Sequence, residues 1–326
     1  MKKKVISVVV PTYNEEENIP LVYARVSNLF ETTLSDYCLK LLFIDNCSTD
    51  RSRALIEELT QKDNRVQAIF NAKNFGFTRS TYYGLSQAQG DCAILLFADM
   101  QDPPEVIPRF VEQWEQGYKI VVGVKIKSRE NPLMYACRKA YYSVIKQISE
   151  IDHIAQYDGF GLYDRAFLNV LSSLDDSMPY LRGIVAELGF QRTEVTYTQE
   201  KRLHGKSNFN FLKLYDVAML GITSYSKVLM RLATFIGFGV AVASLLVALF
   251  TFVYKLLYWD SFPVGVAAIS IGVFFFGAVQ LFFIGILGEY VLNINTRVLH
   301  RPLVIEEKRL NFTDESSIGQ EGKEAE

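Results

Sequence analysis

The segment ADMQDPPE, Ala98 to Glu105, directly follows an apolar run and sets Asp99, Gln101 and Asp102 side by side. Oxygen donors in that arrangement can hold a hard divalent cation against phosphate groups. The same letters also read as a helix start, with Asp102 as N-cap, Pro103 at N1 and Glu105 at N3. The two readings are compatible: Asp102 fits the cap, whereas Asp99 and Gln101 fit the ligands. Other polar segments also follow apolar runs. PTYNEEENI, Pro11 to Ile19, reads as a turn with Asn14 capping the next helix. FIDNCSTD, Phe43 to Asp50, offers Ser48 or Asp50 as a cap, and NAKNFGFTRS, Asn71 to Ser80, carries amides and a glycine. Each alone is a cap or a turn. Several such exits on one edge of a sheet point to a shared ligand site.

The elements that must position them follow from periodicity. Val5 to Val10, Leu39 to Ile44, Val66 to Phe70, Cys92 to Ala98 and Ile120 to Val124 are short apolar runs of strand type. Between them, Glu15 to Phe30, a stretch ending near Thr60, and Ser80 to Gln89 read as helices, with Gly90 placed to end the last. Strands alternating with helices predict an α/β domain with a mostly parallel, Rossmann-like sheet and helices on both faces. In such sheets the ligand sits beyond the carboxyl ends of the strands.

The back of the chain is different. Leu232 to Tyr254 and Ser261 to Gly288 contain no charged residue, and each is long enough to cross a bilayer as a helix. The expected organisation is a front domain over 1–207, an amphipathic juxtamembrane segment over 208–231, two transmembrane helices at about 232–257 and 262–288 within 232–290, and a tail over 291–326 whose acidic end is disordered. Lys227, Arg231, Arg297, Arg301 and Lys308 flank the spans, whereas Lys255 alone lies between them, so the positive-inside rule places both termini in the cytoplasm. A net charge of −2 and a pI of about 6.0 give no footprint for nucleic-acid binding. Cys38, Cys47, Cys92 and Cys137 form no C-x-x-C pair, and His153, His204 and His300 have no ligand spacing, which argues against zinc and dithiol chemistry.

Taken in order, PTYNEEENI, FIDNCSTD, KNFG, ADMQDPPE, GFGLYDR and the paired apolar spans resemble the family 2 glycosyltransferases of GT-A fold. The resemblance is to the polyprenyl-phosphate branch, which includes dolichol-phosphate-mannose synthase and bactoprenol glucosyltransferase. It implies that Pro11, Tyr13, Glu15, Asp45, Asn46 and Asn74 meet the nucleotide-sugar, and that Asp99 and Gln101 hold Mg²⁺ or Mn²⁺ against its diphosphate. It also allows a homotetramer. The chain departs from the pattern at Asn46 and Cys47, where Asp-Gly is usual, at Phe97, where an acid is usual, and at Gly159, where some relatives carry an aspartate base; Asp158 is the nearest replacement.

The implied reaction is inverting transfer of a hexose from a UDP- or GDP-sugar to a polyprenyl phosphate such as undecaprenyl phosphate, for cell-envelope glycan modification. A phosphate acceptor with a second pKa of about 6 is already ionised, so Asp158 need not act as a base. Such a site needs cations for the acceptor instead: Lys125, Arg138, Arg182, Arg202 and Lys206 are the candidates. Arg138 lies in the aromatic and basic stretch 132–148 of interfacial type, and Lys206 in a basic loop, 201–209, that reads as a flap. Asp99, Asp158, Arg138 and Lys206 are thus the expected catalytic group. Transfer to a saccharide hydroxyl and a non-catalytic nucleotide-sugar-binding scaffold are the alternatives.

Overall fold

The computed structural model describes residues 3–127, 154, 156–174, 176, 178–200, 266–299 and 301–312, together with scattered helical positions between 235 and 257. Two compact units emerge: one of residues 1–142, 152–210 and 300–326, the other of 143–151 and 211–299.

The first unit is built on β1 (Val5–Thr12), α1 (Ile19–Thr32), β2 (Cys38–Asp45), α2 (Ser52–Lys62), β3 (Val66–Asn71), α3 (Phe77–Ser86) and β4 (Cys92–Leu95). A 3₁₀ turn at Pro104–Val106 leads into α4 (Ile107–Glu115), followed by β5 (Ile120–Lys127), β6 (Gly161–Asp164), α5 (Arg165–Ser173), α6 (Leu181–Glu187) and β7 (Arg192–Thr198). A last strand, β8 (Glu306–Leu310), completes the sheet, whose order is β7-β5-β6-β4-β1-β2-β3-β8. β1 pairs in parallel with β2 and β4, β2 with β3, and β5 with β7. β6 runs antiparallel to β4 and β5, and β8 antiparallel to β3. The sheet is therefore mixed, with all but β6 and β8 running one way.

Period-two side chains explain the layers. Ile6, Val8 and Val10 of β1, with Leu41 and Phe43 of β2 and Ile94 of β4, pack with Val22 and Val26 of α1, Ile56 of α2 and Phe110 of α4. Val9, Leu42, Ile44, Ala93 and Leu95 face the other way, onto Tyr82 and Leu85 of α3, Leu168 of α5 and Ile184 of α6. Gly90 does not end α3, which stops at Ser86. A Cβ at 90 would stand 2.6 Å from the Cys92 carbonyl oxygen and 2.7 Å from that of Val5, so the glycine allows close backbone approach at the sheet margin.

Part of the expected tail is also structural. β8 lies on β3 with Asn71 opposite Glu306 and Ala68 opposite Leu310. Just beyond it, the Asn311 side-chain amide donates to the Thr60 and Val66 carbonyls at 2.7 and 2.9 Å, and its own carbonyl accepts from Gln67 at 3.0 Å. The residues from 313 onward, expected to be disordered, lie outside the described residues.

In the second unit, α7 (Val266–Val298) is a 33-residue helix. At 1.5 Å per residue it spans about 50 Å, beyond the roughly 30 Å of a hydrocarbon core. Its 279–296 stretch is long and apolar enough to cross a membrane, alone in this among the described residues, and it exposes Leu281, Phe282, Ile284 and Leu287. The described positions of the first expected span are helical, with Phe235, Phe238, Leu246 and Phe250 exposed. The rest of that span, the 132–148 stretch, the 201–209 loop and the 208–231 segment lie outside the described residues.

Candidate active site

β1 and β2 end together, with Thr12 opposite Asp45, and their exits are laced. The Asn14 and Glu15 amides donate to Ser48 Oγ and Ser52 Oγ at 2.9 and 2.8 Å, and the Thr49 amide donates to Asn14 Oδ1 at 2.8 Å. Asn14, in a left-handed conformation (φ 55°), thus fastens β2 and does not cap α1. Neither Ser48 nor Asp50 caps α2, whose cap position is Arg51 without a side-chain bond; Asp50 Oδ1 accepts from the Ser52 amide at 2.9 Å in the turn before it.

Asp45 lies at the floor of these exits and is fully buried. One carboxylate oxygen accepts from the Ser48 amide at 3.1 Å; the other is buried and meets no donor among the described residues. Burial pushes its pKa up, against the lowering effect of the Ser48 bonds. An unmatched acceptor at a strand exit is suited to a ligand hydroxyl or ring N–H.

Asn46 accounts for one departure from the family pattern. Its Oδ1 accepts from Asn71 Nδ2 and the Phe75 amide at 3.1 and 3.0 Å, while its Nδ2 donates to Asn74 Oδ1 at 2.9 Å. Asn74 Oδ1 also accepts from the Gly76 amide at 2.9 Å. An aspartate at 46 could accept but not donate, so the β3 exit loop requires the amide. Asn46 and Asn74, expected on the nucleotide, bond to each other and to the β3 exit loop.

At the β4 exit, Asp99 is half-buried and its Oδ1 accepts from the Gln101 amide at 3.2 Å, across a left-handed, fully buried Met100 (φ 56°). Asp102 does not cap the following turn, where Pro103 holds the cap position without a side-chain bond. Instead its carboxylate, 1% exposed, accepts from the Tyr197 hydroxyl at 2.5 Å and lies 3.6 Å from Lys125 Nζ. The local capping rule gives way to partners brought in from β5 and β7. Lys125 also forms a close ion pair with Asp158. Burial and the charge of Asp158 push Asp102 up to about 7, with Lys125 opposing. Burial alone would lower Lys125, but the Asp158 and Asp102 carboxylates outweigh it and raise its pKa. Burial, then Asp158 and Asp102, raise Tyr197 as well.

Phe97, where an acid is usual, is apolar in its surroundings too. Its ring is tilted on Phe77 at 5.6 Å, and a Cβ at Gly159 (φ 120°) would touch Leu95, Phe97 and Leu181. A side chain at 159 would be both strained and crowded, which leaves Asp158 as the carboxylate of that segment.

The structure therefore gathers Asp99, Gln101, Lys125 and Asp158, and adds Asp102 and Tyr197. Arg182 is half-buried on α6, and its charge bears on Tyr157. Pro11, Tyr13 and Glu15 lie at the β1 exit. Arg138, Arg202 and Lys206 lie outside the described residues. Tyr197 was missed, although its strand RTEVTYT alternates plainly, with Val195 and Tyr197 inward.

The sequence profile of Glycosyl transferase family 2 matches residues 7–189, from β1 through the end of α6. The chain belongs to this family. It is a glycosyltransferase. It is 32% identical over 303 residues to an uncharacterized glycosyltransferase, YkcC, of Bacillus subtilis, covering 93% of each chain. It is 33% identical over 302 residues to the bactoprenol glucosyl transferase of Shigella phage SfV, covering 92% of this chain and 97% of that one. The prophage bactoprenol glucosyl transferase homolog of Escherichia coli K12 is 30% identical over 301 residues, with the same coverage. A solved mannosyltransferase from Pyrobaculum calidifontis, in complex with GDP-Man and Mn²⁺, superposes over 68% of this chain and 63% of that chain at a TM-score of 0.44 and 14% identity, too low to bear on the site.

For this glycosyltransferase the charge balance matters. Asp99, Asp102 and Asp158 all act on Lys125 and Tyr197. Among the described residues no group of three or more His, Cys, Asp or Glu is placed to ligate one ion. A cation here would rest on Asp99 and on oxygens brought by the ligand, and an anionic ligand beside Asp99 and the Asp158–Lys125 pair fits better with such a cation than without it.

Proposed function

We propose that this glycosyltransferase carries out inverting transfer of a hexose from a UDP- or GDP-sugar to a polyprenyl phosphate, in the manner of undecaprenyl phosphate, at the cytoplasmic face of a membrane. The observation that carries the reading is where the chain leaves the sheet. β7 and β8 are its two edge strands. β7 runs with β5 and ends at Thr198; β8 starts opposite Asn71, at the carboxyl end of β3. Between them comes the apolar unit with α7. Thr198, where β7 ends, and Glu306, where β8 begins, thus lie at the edge that carries Asp45, Asp99 and Asp158. The names of the bactoprenol relatives favour the same lipid class.

In this reading Asp45 and the β1 exit receive the nucleoside, and Asp99 and Gln101 face the diphosphate. A phosphate oxygen of the lipid attacks the anomeric carbon from the face opposite the diphosphate. The new carbon–oxygen bond forms as the old one breaks, and its electron pair leaves on the nucleoside diphosphate. A bound Mg²⁺ or Mn²⁺ supplies charge neutralisation for that leaving group. With a second pKa of about 6, the acceptor needs no proton removed. Asp158, paired with Lys125, then orients groups and keeps a negative edge beside the forming bond. Arg182, Arg138, Arg202 and Lys206 supply cations for the acceptor phosphate. Both termini are cytoplasmic in this reading, and the resemblance allows a tetramer.

The test offers membranes containing the protein a panel of labelled UDP- and GDP-sugars with undecaprenyl phosphate. Solvent-extractable label from one donor is expected. Label appearing only on a water-soluble saccharide would favour transfer to a hydroxyl, with Asp158 as its base.

A further inference from the structure

The end of β7 is stitched to the β4 exit along its whole length. The Tyr197 hydroxyl donates to Asp102 at 2.5 Å, and the Glu200 amide donates to the Gln101 carbonyl at 2.8 Å. Arg109 donates to the Thr196 carbonyl at 3.0 Å. Arg25 of α1 pairs with Glu105 at 2.5 Å and reaches Glu200 at 3.5 Å. The turn so held is unusual. Asp99 accepts from the Gln101 amide over a left-handed, buried methionine, a conformation that costs energy unless its surroundings impose it.

Of these ties only the Tyr197–Asp102 bond is deeply buried. Tyr197 is 3% exposed and its ring meets Phe160 edge-on at 5.3 Å. Asp102 is three residues beyond Asp99, so whatever fixes Asp102 fixes the turn that presents Asp99.

We infer that Tyr197 is a positioning residue for donor binding: through Asp102 its hydroxyl sets the Met100 turn and so the direction in which Asp99 meets a nucleoside diphosphate. The inference rests on the reading that the Asp99 turn receives the donor diphosphate. Tyr197 touches no substrate. It also stands one residue from the end of β7, so the Asp99 turn and the end of that strand form one fastened piece.

The test is titration calorimetry of UDP and of GDP, each with Mn²⁺, on the full-length protein, together with its thermal midpoint. Tyr197→Phe keeps the ring and removes only the donor; it should weaken nucleotide binding at least about fivefold. Arg109→Ala removes an exposed tie to β7 and leaves the Tyr197–Asp102 bond in place, so its binding should stay within about twofold of the parent chain. A structural role alone would lower the midpoint of both variants and leave binding by the folded fraction unchanged. Unchanged binding by folded Tyr197→Phe overturns the inference, as does an equal loss in Arg109→Ala. If the parent chain binds neither nucleotide, the underlying reading fails first.

Discussion

Two aspartates are equally buried in this enzyme and do opposite work. Asp45, at the end of β2, has one oxygen on the Ser48 amide and the other without a donor among the described residues. Asp102, at the end of the β4 exit, has its carboxylate taken by Tyr197 and Lys125. A buried acceptor left open is a standing cost that a ligand or a bound water relieves, whereas a filled one is a fastening. The difference separates a carboxylate open to a ligand from one already engaged, a separation their near-identical exposure does not reveal.

Substitution should break that comparison most sharply at Asp45. Asp45→Ala is expected to weaken donor binding by on the order of tenfold to a hundredfold while costing the free chain only the Ser48 bond, about 1 kcal/mol of stability. Donor titration beside a melting curve checks both halves. Asp102→Ala should do the reverse to stability: it strands the Tyr197 hydroxyl and removes a charge partner of Lys125, a loss of about 3 kcal/mol by denaturant melts.

A pH experiment sharpens the contrast. Asp102 is raised to about 7 from an ordinary value near 3.8, so the folded chain holds a proton that the unfolded chain has released. Its contribution is full below the unfolded pKa and is lost as pH rises from about 4 through 7. Asp102→Asn removes that titration, so its stability relative to the parent chain should improve by a few kcal/mol, to order of magnitude, between pH 5 and pH 8. A parallel pair of stability-against-pH curves would contradict the assignment. The smallest effect belongs on the exposed edge strand: Lys308→Ala, which removes an exposed pair with Glu57 at 2.9 Å, should shift stability by less than about 1 kcal/mol.

Much of this was legible in the sequence. The apolar runs of β1 to β5 and the polar segments after them announced a sheet with its site at one edge, and Asp99 and Asp45 were visible as candidates. Asp102 was misread because a local pattern, Asp-Pro-Pro-Glu, matches a cap, and the partner that overrides it stands 95 residues away. β8, EEKRL, carries almost no apolar alternation because it is an edge strand with mostly exposed side chains. β6 has only four residues and owes its place to neighbours on both sides. Asn46 looked like a lost carboxylate; only the Asn71, Asn74 and Phe75 partners show why an amide is needed.

In the proposed reaction the acceptor arrives already ionised. The direct measurement compares transfer of labelled sugar to undecaprenyl phosphate by folded Asp99→Ala and Asp158→Ala proteins. Asp99→Ala should give no lipid-extractable label, a loss of at least about a thousandfold, whereas Asp158→Ala should keep measurable transfer because no proton has to be removed. A folded Asp158→Ala protein that is wholly inactive while still binding donor would contradict the account.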